Sequence, residues 1–167
     1  GNVVARLHGS GELPPLLLTA HLDVVEAEPS SWEHPPFCGE VHDGCLWGRG
    51  AIDMKNMAAM SVAIMTRLAR EGVKPKRDLI FAGVADEEAG CRHGSLWLCE
   101  NHRDLVQSEF AIGEGGGFNI QVAGKSFFTV QVAEKGVCWV RARATGEPGH
   151  GSMPREDSAV VQLSAAI

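Results

Sequence analysis

Three short apolar runs separated by helical segments constrain this chain more than any other feature. Residues 16–22 form a short, mostly apolar stretch after Pro14 and Pro15, residues 78–85 a second that is nearly continuous in apolar residues, and residues 109–112 a short third. Continuous apolar runs of this length read as strands buried on both faces, which is the pattern of a parallel sheet. Residues 54–70 are predicted to be a helix, because Met57, Met60, Ile64 and Leu68 recur at helical spacing on one face and Gly72 supplies a stop. Residues 94–101 are predicted to be a second helix. Strand, helix, strand, helix, strand predicts an α/β domain with a largely parallel sheet. Residues 28–39 form a loop rich in Pro and Trp, and Asp43-Gly44 predicts a hairpin turn between residues 40–42 and 45–47.

The pattern changes after about residue 134. Residues 137–144 alternate as a two-sided strand, and residues 157–167 begin an amphipathic helix. The expected organisation is therefore one domain over residues 1–134 and the beginning of a second over 135–167, both incomplete. The chain opens inside what reads as a strand and does not start with Met, so a native N-terminus with its own targeting signal is expected to be missing.

Composition narrows the function classes. With 167 residues, 44% of them hydrophobic, the chain can bury a real core. A formal charge of -6 and the absence of a basic stripe argue against a nucleic-acid partner. No apolar run approaches the length of a membrane span. Five cysteines without a CxxC pair read as reduced thiols rather than a disulfide framework, which points to the cytoplasm.

The chemistry gathers at strand ends. His21 follows the first apolar run, Glu87 and Glu88 the second, Glu114 the third, and Asp53 stands at the start of the intervening helix. In open α/β sheets, sites assemble just beyond the carboxyl ends of the strands. Taken singly, each residue has an ordinary explanation. His21 could be a hydrogen-bonded loop residue, Asp53 a helix N-cap, Glu87-Glu88 a solvated turn, and Glu114 a loop charge. Together they place one imidazole and several carboxylates at one point, a donor set that suits zinc or another borderline divalent ion better than calcium. Asp23 lies two residues beyond His21 on an extended segment, so its carboxylate is expected to accept a hydrogen bond from the imidazole nitrogen that is not on the metal. Adjacent glutamates allow one to hold metal while the other takes a proton from water.

The segments TAHLDVV, GRGAIDMKN, ADEEAG, GEGGG and GHGSMP occur in this order over nearly the whole chain. In sequence and spacing they resemble the family of co-catalytic zinc aminoacylases, glutamate carboxypeptidases, dipeptidases and succinyl-diaminopimelate desuccinylases. The resemblance implies a three-layer, zinc-peptidase-like α/β domain with a largely parallel mixed sheet, followed by the start of an α+β, ferredoxin-like lid domain. It implies two divalent ions, zinc first with cobalt or manganese as alternatives. His21 and Glu114 would hold the first ion, Glu88 the second, and Asp53 would bridge both, with a cis bond to Met54. Glu87 would be the general base, Asp23 would support His21, and His150 would stabilise the oxyanion. The implied substrates are N-acyl amino acids or short peptides with a free carboxylate, and homodimerisation would run through the lid.

The sequence departs from the family in two places. Asn56 stands where the family has glycine, and the second ion's further histidine falls beyond the end of this chain. The chain is therefore expected to bind one ion well and a second poorly, and to turn over slowly or not at all. The competing readings are a catalytically inactive metal-binding or interaction domain, a glycine-rich phosphate binder and a serine hydrolase. Retention of Glu87 counts against the first. Residues 113–117 lack the Lys and Ser/Thr of a P-loop, and Ser152 is not in a GxSxG turn.

Overall fold

The apolar run behind Pro14 and Pro15 becomes one of the two central strands of the fold. The computed structural model describes residues 1–115, 118–136, 138–153 and 155–166. They fall into two units, Gly1–Val132 and Ala133–Ile167. The first unit runs β1 (Val3–Leu7), β2 (Leu13–His21), β3 (Val41–His42), β4 (Cys45–Leu46), α1 (Lys55–Arg70), β5 (Arg77–Val84), α2 (Ser95–Asn101), α3 (Arg103–Val106), β6 (Phe110–Ile112), β7 (Asn119–Val122) and β8 (Lys125–Phe128). The second holds α4 (Ala159–Ala165).

The main sheet has the order β1-β5-β2-β6. Strands β5 and β6 both run parallel to β2, while β1 runs antiparallel to β5 with Val3 opposite Gly83. The α/β class and the mixed, mainly parallel sheet thus agree with the sequence reading. Alternation along β5 divides the core into two. Phe81 packs with Ala20, Met54, Ala58 and Met65 on the side of α1, while Ala82 and Val84 pack with Leu98 of α2. Ile80 is fully buried between the neighbouring strands. Each large side chain buried in this way contributes about 1.5–3 kcal/mol.

Helix α1 exists as expected but presents a different face. Met54, Ala58 and Met65 are buried with Met57 packed beside them, whereas Met60 and Ile64 are 54% and 55% exposed. Periodicity identified the helix, but its apolar residues extend most of the way round it. The sheet then selected which stripe went inside. Its end follows the expected chemistry: Gly72 takes φ +67°, its N–H donates to the Ala69 carbonyl, and that of Val73 to the Leu68 carbonyl.

The Asp43-Gly44 turn joins β3 to β4 with positive φ at both residues. A second hairpin, β7–β8, was not anticipated. It turns at Ala123 and Gly124, again with positive φ at both, and alanine there gives no turn signal in sequence.

The strand expected over residues 137–144 is not formed. Val137 lies outside the described residues, and residues 138–144 have no regular structure, with Trp139 and Val140 75% and 85% exposed. No described segment of this unit pairs with them. An alternating pattern without a neighbouring strand has nowhere to place its backbone hydrogen bonds except water. The described residues of the second unit therefore contain one short helix and no strand of a ferredoxin-like lid. Helix α4 begins at Ser158, whose Oγ accepts from the Val161 N–H at 3.3 Å.

The loop from β5 to α2 folds back so tightly that a Cβ on Gly94 would lie 1.8 Å from the Ala85 carbonyl oxygen. Gly94→Ala is expected to force the two backbones apart and destabilise the first unit by about 1–3 kcal/mol. Urea denaturation measures this, and an unchanged midpoint would show that the loop yields freely.

Candidate metal centre

Strands β2 and β5 run parallel and end level, with His21 opposite Val84, so both deliver their next residues to one edge of the sheet. The third strand, β6, stops at Ile112 beside Leu18, and the following residues carry Glu114 to the same edge. Here the imidazole Nε2 of His21 lies 2.9 Å from Asp53 Oδ1 and 3.9 Å from Glu114 Oε2. One donor atom from each of the three residues lies within 4.8 Å of the others.

Asp53 reaches this point because of the loop before α1. Gly50 has φ +82° and packs so closely on Val24 that a Cβ would come within 2.5 Å of its Cγ1. The Lys55 N–H donates to the Gly50 carbonyl, and the Asp53-Met54 peptide bond is cis. Met54 occupies the N-cap position of α1, with no side-chain cap hydrogen bond. The ordinary explanation of Asp53, as a helix cap, therefore fails, and its carboxylate faces His21 instead.

His21 is 2% exposed, unlike the two carboxylates around it. Its Nδ1 lies 2.9 Å from the Asp23 main-chain carbonyl, which can only accept, so Nδ1 carries a proton. Nε2 is left facing the carboxylates, as a metal ligand requires. Burial works against a charged imidazolium. The Asp23 carbonyl, the Asp53 carboxylate and the charge of Glu87 outweigh it and hold the His21 pKa above its ordinary value. Burial, then the neighbouring Asp53 charge, push the Glu114 carboxyl up.

One expectation is corrected here. The Asp23 carboxylate does not accept from His21: its Oδ1 is 3.8 Å from Nδ1, and the main-chain carbonyl makes that bond. The carboxylate instead accepts the Glu87 N–H at 3.1 Å and the Glu88 N–H at 3.0 Å, one on each oxygen. Asp23 thereby ties the imidazole to the turn bearing both glutamates. Although burial opposes ionisation, these two N–H donors draw its pKa below the usual value.

The folded-state value is depressed, so this contribution is complete above the ordinary aspartate pKa of about 3.9 and is lost as pH falls through the lower folded value. An NMR titration is expected to show Asp23 protonating below about 3.9, with the Glu87 and Glu88 amide shifts following it. A midpoint at or above that value would contradict the geometry.

The remaining predicted residues are placed as follows. Glu87 is exposed, with its charge felt at both His21 and Glu114. Glu88 is half-buried, and its carboxylate is not part of the three-residue cluster. His150 lies in the second unit, where its Nδ1 is 2.8 Å from Ser152 Oγ. Gly116, Gly117 and Pro154 of the quoted motifs lie outside the described residues. Asp86 was not singled out from sequence. At φ +67° it turns the chain after β5, its carbonyl accepting the Cys91 N–H and its carboxylate the His93 N–H. Its place at the head of an acidic triplet was the only signal available.

The donor set suits a divalent transition-metal ion. An imidazole Nε2 with its other nitrogen fixed, and two carboxylates within reach of one point, match the ligand types and convergence that zinc uses. The cluster lies beyond the carboxyl ends of the parallel strands, where α/β proteins assemble their sites. The chain matches Peptidase family M20/M25/M40 over residues 17–163 and belongs to that family.

Among curated proteins it is 36% identical over 172 residues to aminoacylase-1 of Sus scrofa, covering 100% of this chain and 41% of that protein. It is 35% identical over 167 residues to the N-fatty-acyl-amino acid synthase/hydrolase PM20D1 of Xenopus tropicalis, covering 97% and 33% respectively. The chain thus spans 33% to 41% of the length of these relatives. In fold it is similar to the M20 family metallo-carboxypeptidase Sso-CP2 of Sulfolobus solfataricus, with a TM-score of 0.60 and 23% identity over 70% of this chain and 26% of that one. Among the described residues no helix is long and apolar enough to cross a membrane.

Proposed function

We propose that this chain carries the metal centre and general base of a hydrolase that cleaves amide or peptide bonds in N-acyl amino acids or short peptides with a free carboxylate. The observation that supports it best is the convergence of His21, Asp53 and Glu114 at the carboxyl edge of the sheet, with Nε2 of His21 aimed at the carboxylates. These three would hold one divalent ion, zinc by donor type with cobalt or manganese as alternatives. Asp53 and Glu88 would contribute to a second. Such ions, when bound, lower the pKa of water and polarise a carbonyl.

The chain's own groups supply the rest. Glu87, exposed at the tip of its turn, would take the proton from the attacking water and return it to the departing amine. Its main chain is held by Asp23, which also orients His21, so base and ligand share one support. His150 would donate a hydrogen bond to the oxyanion, a role that rests on its GHGSMP setting. The names of the relatives, which describe action on acylated amino acids, support this substrate class.

Zinc stoichiometry by elemental analysis, after weak chelation, tests the centre. About one tightly held ion per chain is expected, because His21, Asp53 and Glu114 converge on one point and would serve as its ligands. A folded sample that holds no zinc would overturn the proposal.

A further inference from the structure

The loop of residues 85–94 carries Glu87 and Glu88, and its two ends are joined by a residue distant in sequence. Asn2 Oδ1 accepts the Ala85 N–H at 2.9 Å, and Asn2 Nδ2 donates to the His93 carbonyl at 2.9 Å. One side-chain amide thereby closes the loop. The group met at Ala85 is an N–H donor and that at His93 a carbonyl acceptor, so a single orientation of the Asn2 amide serves both. Aspartate would lose the donor, and alanine would lose both bonds.

Asn2 can do this because of the direction of β1. The strand runs antiparallel to β5, with Val3 opposite Gly83, so its amino end lies beside the carboxyl end of β5, where the loop begins. A parallel edge strand would begin at the opposite end of the sheet. The loop is thus pinned twice: Asn2 at its two ends, Asp23 at the Glu87 and Glu88 amides. Asp86 and Gly94 make it tight enough for one amide to span.

We propose that Asn2 is a positioning residue, which sets where Glu87 and Glu88 stand relative to the metal centre by closing their loop. The catalytic consequence rests on the function proposed above; the closure itself does not.

The test compares Asn2→Ala and Asn2→Asp with the unaltered chain. Hydrogen exchange at the Glu87, Glu88 and Cys91 amides is expected to accelerate roughly tenfold in Asn2→Ala, with Phe81 and Ala82 unchanged. The Ala85 amide is uninformative because it loses its acceptor directly. Asn2→Asp, which keeps that acceptor, should fall between the two. With zinc bound, kcat of Asn2→Ala should drop roughly tenfold to a hundredfold while KM stays within about twofold. Unchanged exchange at Glu87 and Glu88, or an equal rise at Phe81 and Ala82, would overturn the closure. Loosened exchange with unchanged kcat would overturn the positioning role. Failure of the functional reading has a separate signature: Glu87→Gln would hydrolyse normally, whatever the exchange of the Asn2 variants.

Discussion

His21→Ala is expected to abolish tight zinc binding, lowering affinity by more than about a hundredfold. Loss of a residue that merely orients a ligand typically costs 10- to 100-fold, and His21 is the sole nitrogen donor of the cluster. The substitution also leaves Asp53 and Glu114 in contact without the imidazole beside them, so the remaining oxygens repel until a proton or cation is taken up. Isothermal titration with zinc, alongside circular dichroism to confirm folding, measures the effect. A folded His21→Ala chain that binds zinc as tightly as its parent would place the metal elsewhere.

Glu87→Gln should separate chemistry from binding. The amide keeps the size and the main-chain bond to Asp23, but it cannot accept a proton. Zinc affinity is therefore expected to hold while hydrolysis of an N-acyl amino acid falls by about 10²- to 10⁴-fold, the usual contribution of a general base. Assay with the protein in excess over substrate isolates the bond-breaking step from product release. An unchanged rate would assign the proton transfer to another group, with Glu88 the first candidate.

Much of this centre was legible because its residues stand where strands stop. An apolar run that ends in a ligand-type side chain has little local reason to do so, and three such runs in an α/β order leave one edge of one sheet for them to share. Helix α1, the Asp43-Gly44 hairpin and the Gly72 stop were readable for the same reason: each depends on neighbours within a few residues. The outward placement of Met60 and Ile64 was not readable, since the helical period is the same whichever apolar stripe the sheet selects. The strand expected at residues 138–144 finds no partner among the described residues, which no local pattern reports.

Asp23 marks the boundary between the two kinds of information. Spacing alone put it beside His21, and there it is. Which of its oxygens faces the ring was decided by the turn after β5, whose two N–H groups needed an acceptor and took the carboxylate, leaving the carbonyl for the imidazole. Asn2 is the extreme case, since its partners lie 83 and 91 residues away. Sequence determined the elements and the residue types at their ends, because these follow from local propensity and from burial along each strand. The fold decided the pairing of main-chain donors and acceptors at the site, because those bonds join segments whose proximity exists only once the sheet has closed.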